Sequence, residues 1–292
     1  MIIWLASYPK SGNTWVRNIV NQIVYNDIKN REDIFINSSR IRRYPSRKDI
    51  EDLPIINSNG NYTDAQKKNV IEHTVKNWES SQLKINSNGE LNIFKTHNML
   101  CKINLENKNF SFTDKNNSAG VIHIVRDPRN ILTSVANHYS HKTQEESLDM
   151  LLNKYNWIGF KNHDVPQLLS SWNNHYNSWK RFPLNYFLIK YEDLIQNPEK
   201  EILRIIEYLS KFFKLNISIK EIDLIIGNTS FKNFSDQEEK GKFEENAKNE
   251  LGEIKKFFYL GPKNNWKDYV SKENIEKINL VFEKEMKELG YL

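Results

Sequence analysis

Apolar residues recur along this chain in two rhythms. The first is a short run centred on consecutive apolar residues, seen at Ile2-Ile3-Trp4-Leu5-Ala6, Asn92-Ile93-Phe94-Lys95-Thr96, Gly120-Val121-Ile122-His123-Ile124-Val125 and Tyr186-Phe187-Leu188-Ile189-Lys190. Runs of this length, rich in β-branched and aromatic residues, predict four buried strands, the last running into a turn through Tyr191 to Leu194. The second rhythm repeats every three to four residues. Val16, Ile19, Val20, Ile23 and Val24 form one such stripe. Others are Ile131, Leu132, Val135 and Ala136, then Ile202, Ile205, Ile206 and Leu209, then Ile275, Ile278 and Phe282. Each predicts a helix with one inward face. Start signals agree: Asp127-Pro128, Asn197-Pro198 and Ser271 are good caps, and Gly290 follows the last helix. Trp172, Tyr176 and Trp179 also fall at helical spacing and are expected in the core. Strands alternating with helices predict an α/β fold over residues 1–292 as a single domain, a parallel sheet flanked by helices.

Three stretches break the pattern: residues 40–61, 141–167 and 232–256. Long excursions in α/β proteins often serve as lids or substrate loops. The first two are expected to wall an acceptor pocket and the third to cover a nucleotide.

Composition narrows the class. The chain has 292 residues, 38% of them hydrophobic, which is ample for one large core. Cys101 is the one cysteine, so no internal disulfide can form. No apolar run approaches the ~20 residues needed to span a bilayer, and the N-terminal apolar run is too short for a signal core. A soluble, cytoplasmic protein is expected. The net charge of +5 suits a polyanionic ligand, but lysines interleave with acids, so nucleic acid is not an expected partner. His138 and His141 are three apart with no third ligand in view, so no metal site is expected.

The chemistry concentrates in Tyr8-Pro9-Lys10-Ser11-Gly12-Asn13-Thr14-Trp15, between the first strand and the first helix. A Ser/Gly turn entering a helix N-terminus presents free backbone N–H groups to an anion, most often a phosphate. The nucleotide-hydrolysing version reads Gly, four residues, Gly-Lys-Ser/Thr. Here Ser7, Gly12, Asn13 and Thr14 occupy those positions, so the lysine has moved upstream to Lys10.

This loop resembles the 5′-phosphosulfate loop of sulfotransferases that use 3′-phosphoadenosine 5′-phosphosulfate (PAPS), with Asn13 the one departure in eight positions. The resemblance runs from residue 2 to about 270 and rests on five motifs in order. It implies a P-loop-like α/β fold in which Ser11, Gly12, Asn13, Thr14 and Trp15 hold the 5′-phosphate. Lys10 would contact the oxygen between phosphate and sulfate. Arg126 and Ser134, eight apart after the third strand, look like the family's 3′-phosphate site. Lys95-Thr96-His97 matches a family Lys-Thr-His, implying His97 as general base and Lys95 as a second sulfuryl contact. Tyr191, in Tyr-Glu-Asp, would lie near the adenine. Thr229-Ser230-Phe231 matches a nucleotide-binding segment whose ring stacks on adenine, and Gly261 with Trp266-Lys267 matches the C-terminal motif.

The function expected is therefore sulfuryl transfer from PAPS to the hydroxyl of a small-molecule, glycan or lipid acceptor, with 3′,5′-ADP as product and no metal. Two alternatives are a small-molecule kinase on the same fold, which would need ATP and Mg²⁺, and a non-catalytic protein binding 3′,5′-ADP or a sulfated ligand. The family's Arg-Lys before the final Gly is Tyr259-Leu260 here; Lys255, Lys256 and Arg129 are the candidate replacement cations. Tyr44 and Tyr62 are candidates for a second adenine-stacking ring. The family's dimer pattern becomes Lys267, Ser271-Lys272, Glu276, so a homodimer is open but its usual motif is degenerate.

Overall fold

Strand β1 (Ile2–Ser7) is buried at every residue, as its unbroken apolar run predicts. The remaining labelled elements follow in order: α1 (Asn13–Tyr25), β2 (Asn92–Thr96), β3 (Ser118–Val125), α2 (Pro128–Tyr139), α3 (Trp172–Lys180), β4 (Tyr186–Lys190), α4 (Tyr191–Gln196), α5 (Pro198–Leu209), α6 (Ile219–Asn228), α7 (Phe231–Glu239), α8 (Lys272–Val281) and α9 (Glu283–Leu289). This computed structural model describes residues 1–25, 40–54, 62–160, 164–243, 245 and 255–292.

The four strands form a central parallel sheet in the order β2-β1-β3-β4. β1 runs parallel to β2 with Ile3 opposite Ile93, Trp4 opposite Phe94 and Ala6 opposite Thr96. The order reverses around β1, whose successor in the chain lies on one side and β3 on the other. In open α/β sheets, ligands bind beyond the carboxyl ends of strands at such a switch point. The segments that follow β1 and β3 are the Tyr8–Trp15 loop and Arg126.

The chain divides into two compact units, each assembled from separated stretches. The first comprises Met1–Tyr8, Arg42–His123 and Leu152–Leu188. Its core centres on Trp4, which is fully buried and lies 5.2 Å from the ring of Tyr44, 5.3 Å from Phe112 and 6.4 Å from Trp179. The polar edge of Trp4 is satisfied, because its Nε1 donates to Ser118 Oγ at 2.7 Å. Trp172, Tyr176 and Trp179 are buried as expected. Tyr44 belongs to this core too, its hydroxyl donating to the carbonyl of Trp78. Tyr62 packs on Phe160 at 5.7 Å.

The second unit comprises Pro9–Ile41, Ile124–Leu151 and Ile189–Leu292. In it α1 buries Val16, Ile19, Val20 and Ile23, and α5 buries Ile202, Ile205 and Leu209. The two helices pack on one another. The sequence caps hold. Asp127 accepts from the Arg129 N–H with Pro128 at the first helical position, Asn197 accepts from Lys200, and Ser271 from Asn274. One boundary differs from expectation. β4 stops at Lys190 and Tyr191 opens a helix directly, with Glu192 and Asp193 in its first turn where acids favour the helix dipole.

Regular structure occurs among the described residues of the second and third excursions. Residues 144–152 are helical, and Trp157–Ile158 pairs with Gln167–Leu168 as a short antiparallel ribbon. The third stretch begins inside α7. Residues 55–61, 161–163, 244 and 246–254 of these excursions lie outside the described residues.

Trp4 is the test of this core. Trp4→Ala is expected to lower unfolding stability by roughly 3–5 kcal/mol, the usual cost of deleting a large buried aromatic. Urea denaturation would measure it; a loss under about 1 kcal/mol would mean the core closes without the indole.

Candidate functional site

In the second unit, the loop after β1 is shaped by two positive backbone angles, φ 64° at Lys10 and 100° at Gly12. At Gly12 only glycine fits: a Cβ there would lie 2.6 Å from Cδ2 of Tyr191. The Gly12 carbonyl accepts from the Val16 N–H, so α1 starts at once and its first N–H groups face the loop. Ser11 is fully buried and its hydroxyl has no partner among the described residues. Lys10 places its ammonium 3.4 Å from the centroid of the Phe257 ring.

Arg126 sits where β3 ends. It is only 5% exposed, and its Nη1 donates to the Lys10 carbonyl at 3.0 Å and to Ser134 Oγ at 3.2 Å. Its guanidinium lies 4.1 Å over the ring of Tyr191. Its Nε is buried with no partner, and among the described residues no carboxylate forms an ion pair with it. Glu192 acts on it only at longer range. A buried cation without an ion-paired anion is expensive, which makes Arg126 a candidate for binding an anion from outside the chain.

The other predicted nucleotide residues join the same cluster. Trp15 meets Tyr191 edge-on at 5.7 Å and donates through Nε1 to Thr229 Oγ1 at 3.3 Å. Phe231 opens α7, and its ring lies against Gly261, where a Cβ would come within 2.2 Å of the ring. The hydroxyls are committed: Thr229 donates to the Ile225 carbonyl, while Ser230 donates to the Gly227 carbonyl and caps α7 by accepting from Asn233. They hold the segment in place.

Two of the cations considered as replacements for Arg-Lys are spent elsewhere. Arg129 is buried, paired with Asp127 at 2.7 Å, donating to the Tyr291 carbonyl and stacked on Trp266. Lys256 pairs with Glu239 at the surface. Tyr259 itself is exposed. Tyr44, buried among Trp4, Phe94 and Phe112, cannot stack on a nucleotide.

Lys95 and His97 belong to the first unit, at the end of β2. The strand is held there on its open side: the Lys95 N–H donates to the Arg42 carbonyl and the Tyr44 N–H to the Lys95 carbonyl. The His97 N–H donates to Gln167 Oε1 at 2.8 Å. Nδ1 of His97 lies 2.8 Å from the Ser7 carbonyl, which can only accept. Nδ1 therefore carries the proton and Nε2 keeps its lone pair. Burial, then the neighbouring Lys95 charge and that of Arg43, hold the ring well below the usual histidine pKa, so it is neutral at pH 7.

Sequence reasoning missed the supports of these residues. The ring of His175 donates to the His97 carbonyl; burial pushes it down to about 3, and its Nε2 has no partner among the described residues. Glu192 receives both the Asp127 N–H at 3.0 Å and the Tyr291 hydroxyl at 2.9 Å. One carboxyl thus ties together the residues that follow Arg126 and Tyr191. His175 was hidden inside a helix legible only as core; Glu192 could have been suspected from its place beside Tyr191.

The description "Sulfotransferase domain" belongs to the family model that matches residues 2–290. The amine sulfotransferase of Oryctolagus cuniculus is 23% identical over 98% of this chain and 81% of its own length. Sulfotransferase 1B1 of Canis lupus familiaris is 24% identical over 97% of this chain and 83% of its own. Among solved structures, retinol dehydratase in complex with androsterone and the inactive cofactor PAP superposes with a TM-score of 0.62, at 17% identity, covering 98% of this chain and 80% of that one.

Buried neutral histidines make a pH prediction. His123 and His175 are each 1% exposed and both have lowered pKa values, so the unfolded chain binds protons near pH 6.5 that the folded chain refuses. Stability should be fully present above pH 6.5 and fall as the pH drops below it, by roughly 1.4 kcal/mol per unit for each group until its folded pKa is reached. Urea unfolding at pH 7.5 and 5.5, in wild type and His175→Gln, checks this: the variant should lose part of the slope. Identical slopes would show that His175 is protonated in the folded chain.

Proposed function

The chain belongs to the sulfotransferase domain family, and from that membership we propose that it transfers the sulfuryl group of PAPS to an acceptor hydroxyl, leaving 3′,5′-ADP, as one domain over residues 1–292. The observation that carries the donor assignment is Arg126, a buried guanidinium with no ion-paired carboxylate among the described residues, beside the loop that carries the Ser11 hydroxyl. The unpartnered Ser11 hydroxyl and Arg126 Nε fit a bound polyphosphate of this kind.

PAPS supplies an activated sulfuryl group. The backbone amides of Ser11 to Trp15 hold its 5′-phosphate, and Arg126 and Ser134 donate to its 3′-phosphate. Tyr191, Thr229, Ser230, Phe231 and Gly261 line the nucleoside. His97 Nε2 takes the acceptor proton as the acceptor O–S bond forms and the bond from sulfur to the phosphate oxygen breaks. Lys10 and Lys95 offset the charge that grows on that oxygen and on the sulfuryl oxygens. To do so Lys10 leaves the Phe257 face. There it would exchange a cation–π contact worth about 1 kcal/mol for a charged hydrogen bond worth about 1.5–3 kcal/mol. The acceptor is a small-molecule, lipid or glycan hydroxyl.

Calorimetry tests the donor reading. 3′,5′-ADP should bind far more tightly than ATP. Arg126→Ala should weaken 3′,5′-ADP about tenfold to a hundredfold, the value of a charged hydrogen bond, and affect adenosine 5′-phosphosulfate, which lacks the 3′-phosphate, much less. ATP binding as tightly as 3′,5′-ADP, with turnover needing Mg²⁺, would favour the kinase reading.

Turnover tests the roles of His97 and Lys10. His97→Ala should slow the reaction about 10²–10⁴-fold while 3′,5′-ADP binds nearly as before. Lys10→Ala should be as slow and should also loosen PAPS, because it touches the donor. Wild-type rates in His97→Ala at saturating acceptor would remove His97 from the mechanism.

A further inference from the structure

Asn264 was no part of the predicted site, yet it is 7% exposed and every polar atom of its side chain is engaged beside Ser134. Nδ2 donates to the Asn130 carbonyl at 2.8 Å and to Ser134 Oγ at 3.4 Å, and Oδ1 accepts from Thr133 Oγ1 at 2.7 Å. The amide can face only one way, because the Asn130 carbonyl must meet an N–H. A serine hydroxyl has two acceptor lone pairs and one proton. At Ser134 one lone pair receives Arg126 Nη1 at 3.2 Å and the other receives Asn264. Both acceptor positions are filled, so what the hydroxyl can still offer is its proton.

We propose that Asn264 is a positioning residue of the 3′-phosphate subsite: with Arg126 it turns Ser134 into an obligate donor toward the ligand's phosphate. The inference rests on the PAPS reading above and deepens it. It also assigns a neutral group to a subsite whose C-terminal segment carries Tyr259 and Leu260. Asn264 does not touch the phosphate, because both of its N–H groups are used. A purely structural role is the competing account, since the same amide ties the residue 261–266 segment to α2. That account predicts equal effects on ligands with and without a 3′-phosphate.

The experiment compares 3′,5′-ADP with adenosine 5′-phosphosulfate by calorimetry in wild type, Ser134→Ala, Asn264→Ala, Asn264→Asp and the Asn264→Ala/Ser134→Ala pair. Loss of one neutral hydrogen bond is worth about three- to tenfold in affinity. Asn264→Ala should cost that much for 3′,5′-ADP and leave adenosine 5′-phosphosulfate within about twofold. Asn264→Asp keeps the side chain's size and its acceptor for Thr133 but removes both donors. Its carboxylate would capture the Ser134 proton, so its selective loss should be at least as large. In the Ser134→Ala background the selective cost of Asn264→Ala should vanish. If Ser134→Ala is selective but Asn264→Ala weakens both ligands alike, or adds fully to Ser134→Ala, the positioning role is overturned and the site reading stands. If Ser134→Ala is itself unselective, the 3′-phosphate assignment falls and this inference with it. Should Asn264→Ala fail to fold, Asn264→Asp decides the same question.

Discussion

The second unit is organised around one buried charge, the guanidinium of Arg126. Removing such a cation from water costs several kcal/mol unless an anion or a full set of acceptors compensates it. The chain offers a carbonyl, a hydroxyl and an aromatic face, and withholds an ion-paired carboxylate. Neighbouring features follow from that choice. Lys10 takes a positive φ in the turn whose carbonyl Arg126 meets. Tyr191 must lie flat beneath the guanidinium, and its ring in turn admits only glycine at position 12. Glu192 and Tyr291 then fix the chain next to both partners. Contrast Arg129, three residues on, equally buried but paired with Asp127. The same residue type is ion-paired in one place and, among the described residues, has no ion-paired carboxylate in the other, which is what makes Arg126 the candidate for meeting an anionic ligand.

The fold was legible where local signals agreed. Short apolar-centred runs became the four strands, and Asp127-Pro128, Asn197-Pro198 and Ser271 capped the helices they were expected to cap. What resisted reading was decided by tertiary contact. The segment after β4 is a helix where a turn was expected, because the acidic pair after Tyr191 suits a helix start. Tyr44 carries the ring chemistry of a stacking residue, but Trp4 and Phe94 claim it for the core.

The site was legible as a set of positions and illegible as a network. Lys10, Gly12, Arg126, Ser134, Tyr191 and Phe231 stand in recognisable motifs at strand ends and helix starts, and at Gly12 the backbone itself requires the residue type. Asn264, His175 and Tyr291 stand in none. Each acts through another residue's carbonyl, hydroxyl or carboxyl, and such second partners are fixed by three-dimensional proximity that no spacing rule encodes. Thr229 and Ser230 make the converse point: their motif is plain, but their hydroxyls are consumed in holding the segment that carries Phe231.

The proton chemistry follows from how the two ends of His97 are treated. The Ser7 carbonyl can accept a hydrogen bond but never donate one, so it fixes the Nδ1–H tautomer. Burial and the charges of Lys95 and Arg43 disfavour a second proton on the ring. Together they leave an unprotonated Nε2 at neutral pH, the form a general base needs. The same cations that make His97 a weaker base in the resting state also favour deprotonation of a nearby hydroxyl, because an alkoxide gains from positive charge where an imidazolium loses. Lys95 therefore need not be matched to one role. In the proposed mechanism its charge would keep the base unprotonated before transfer and stabilise the anionic character that develops on the acceptor and sulfuryl oxygens during it. A neutral residue at position 95 would remove both effects at once, which is why a lysine immediately before Thr96-His97 makes chemical sense even though its ammonium is not the proton acceptor.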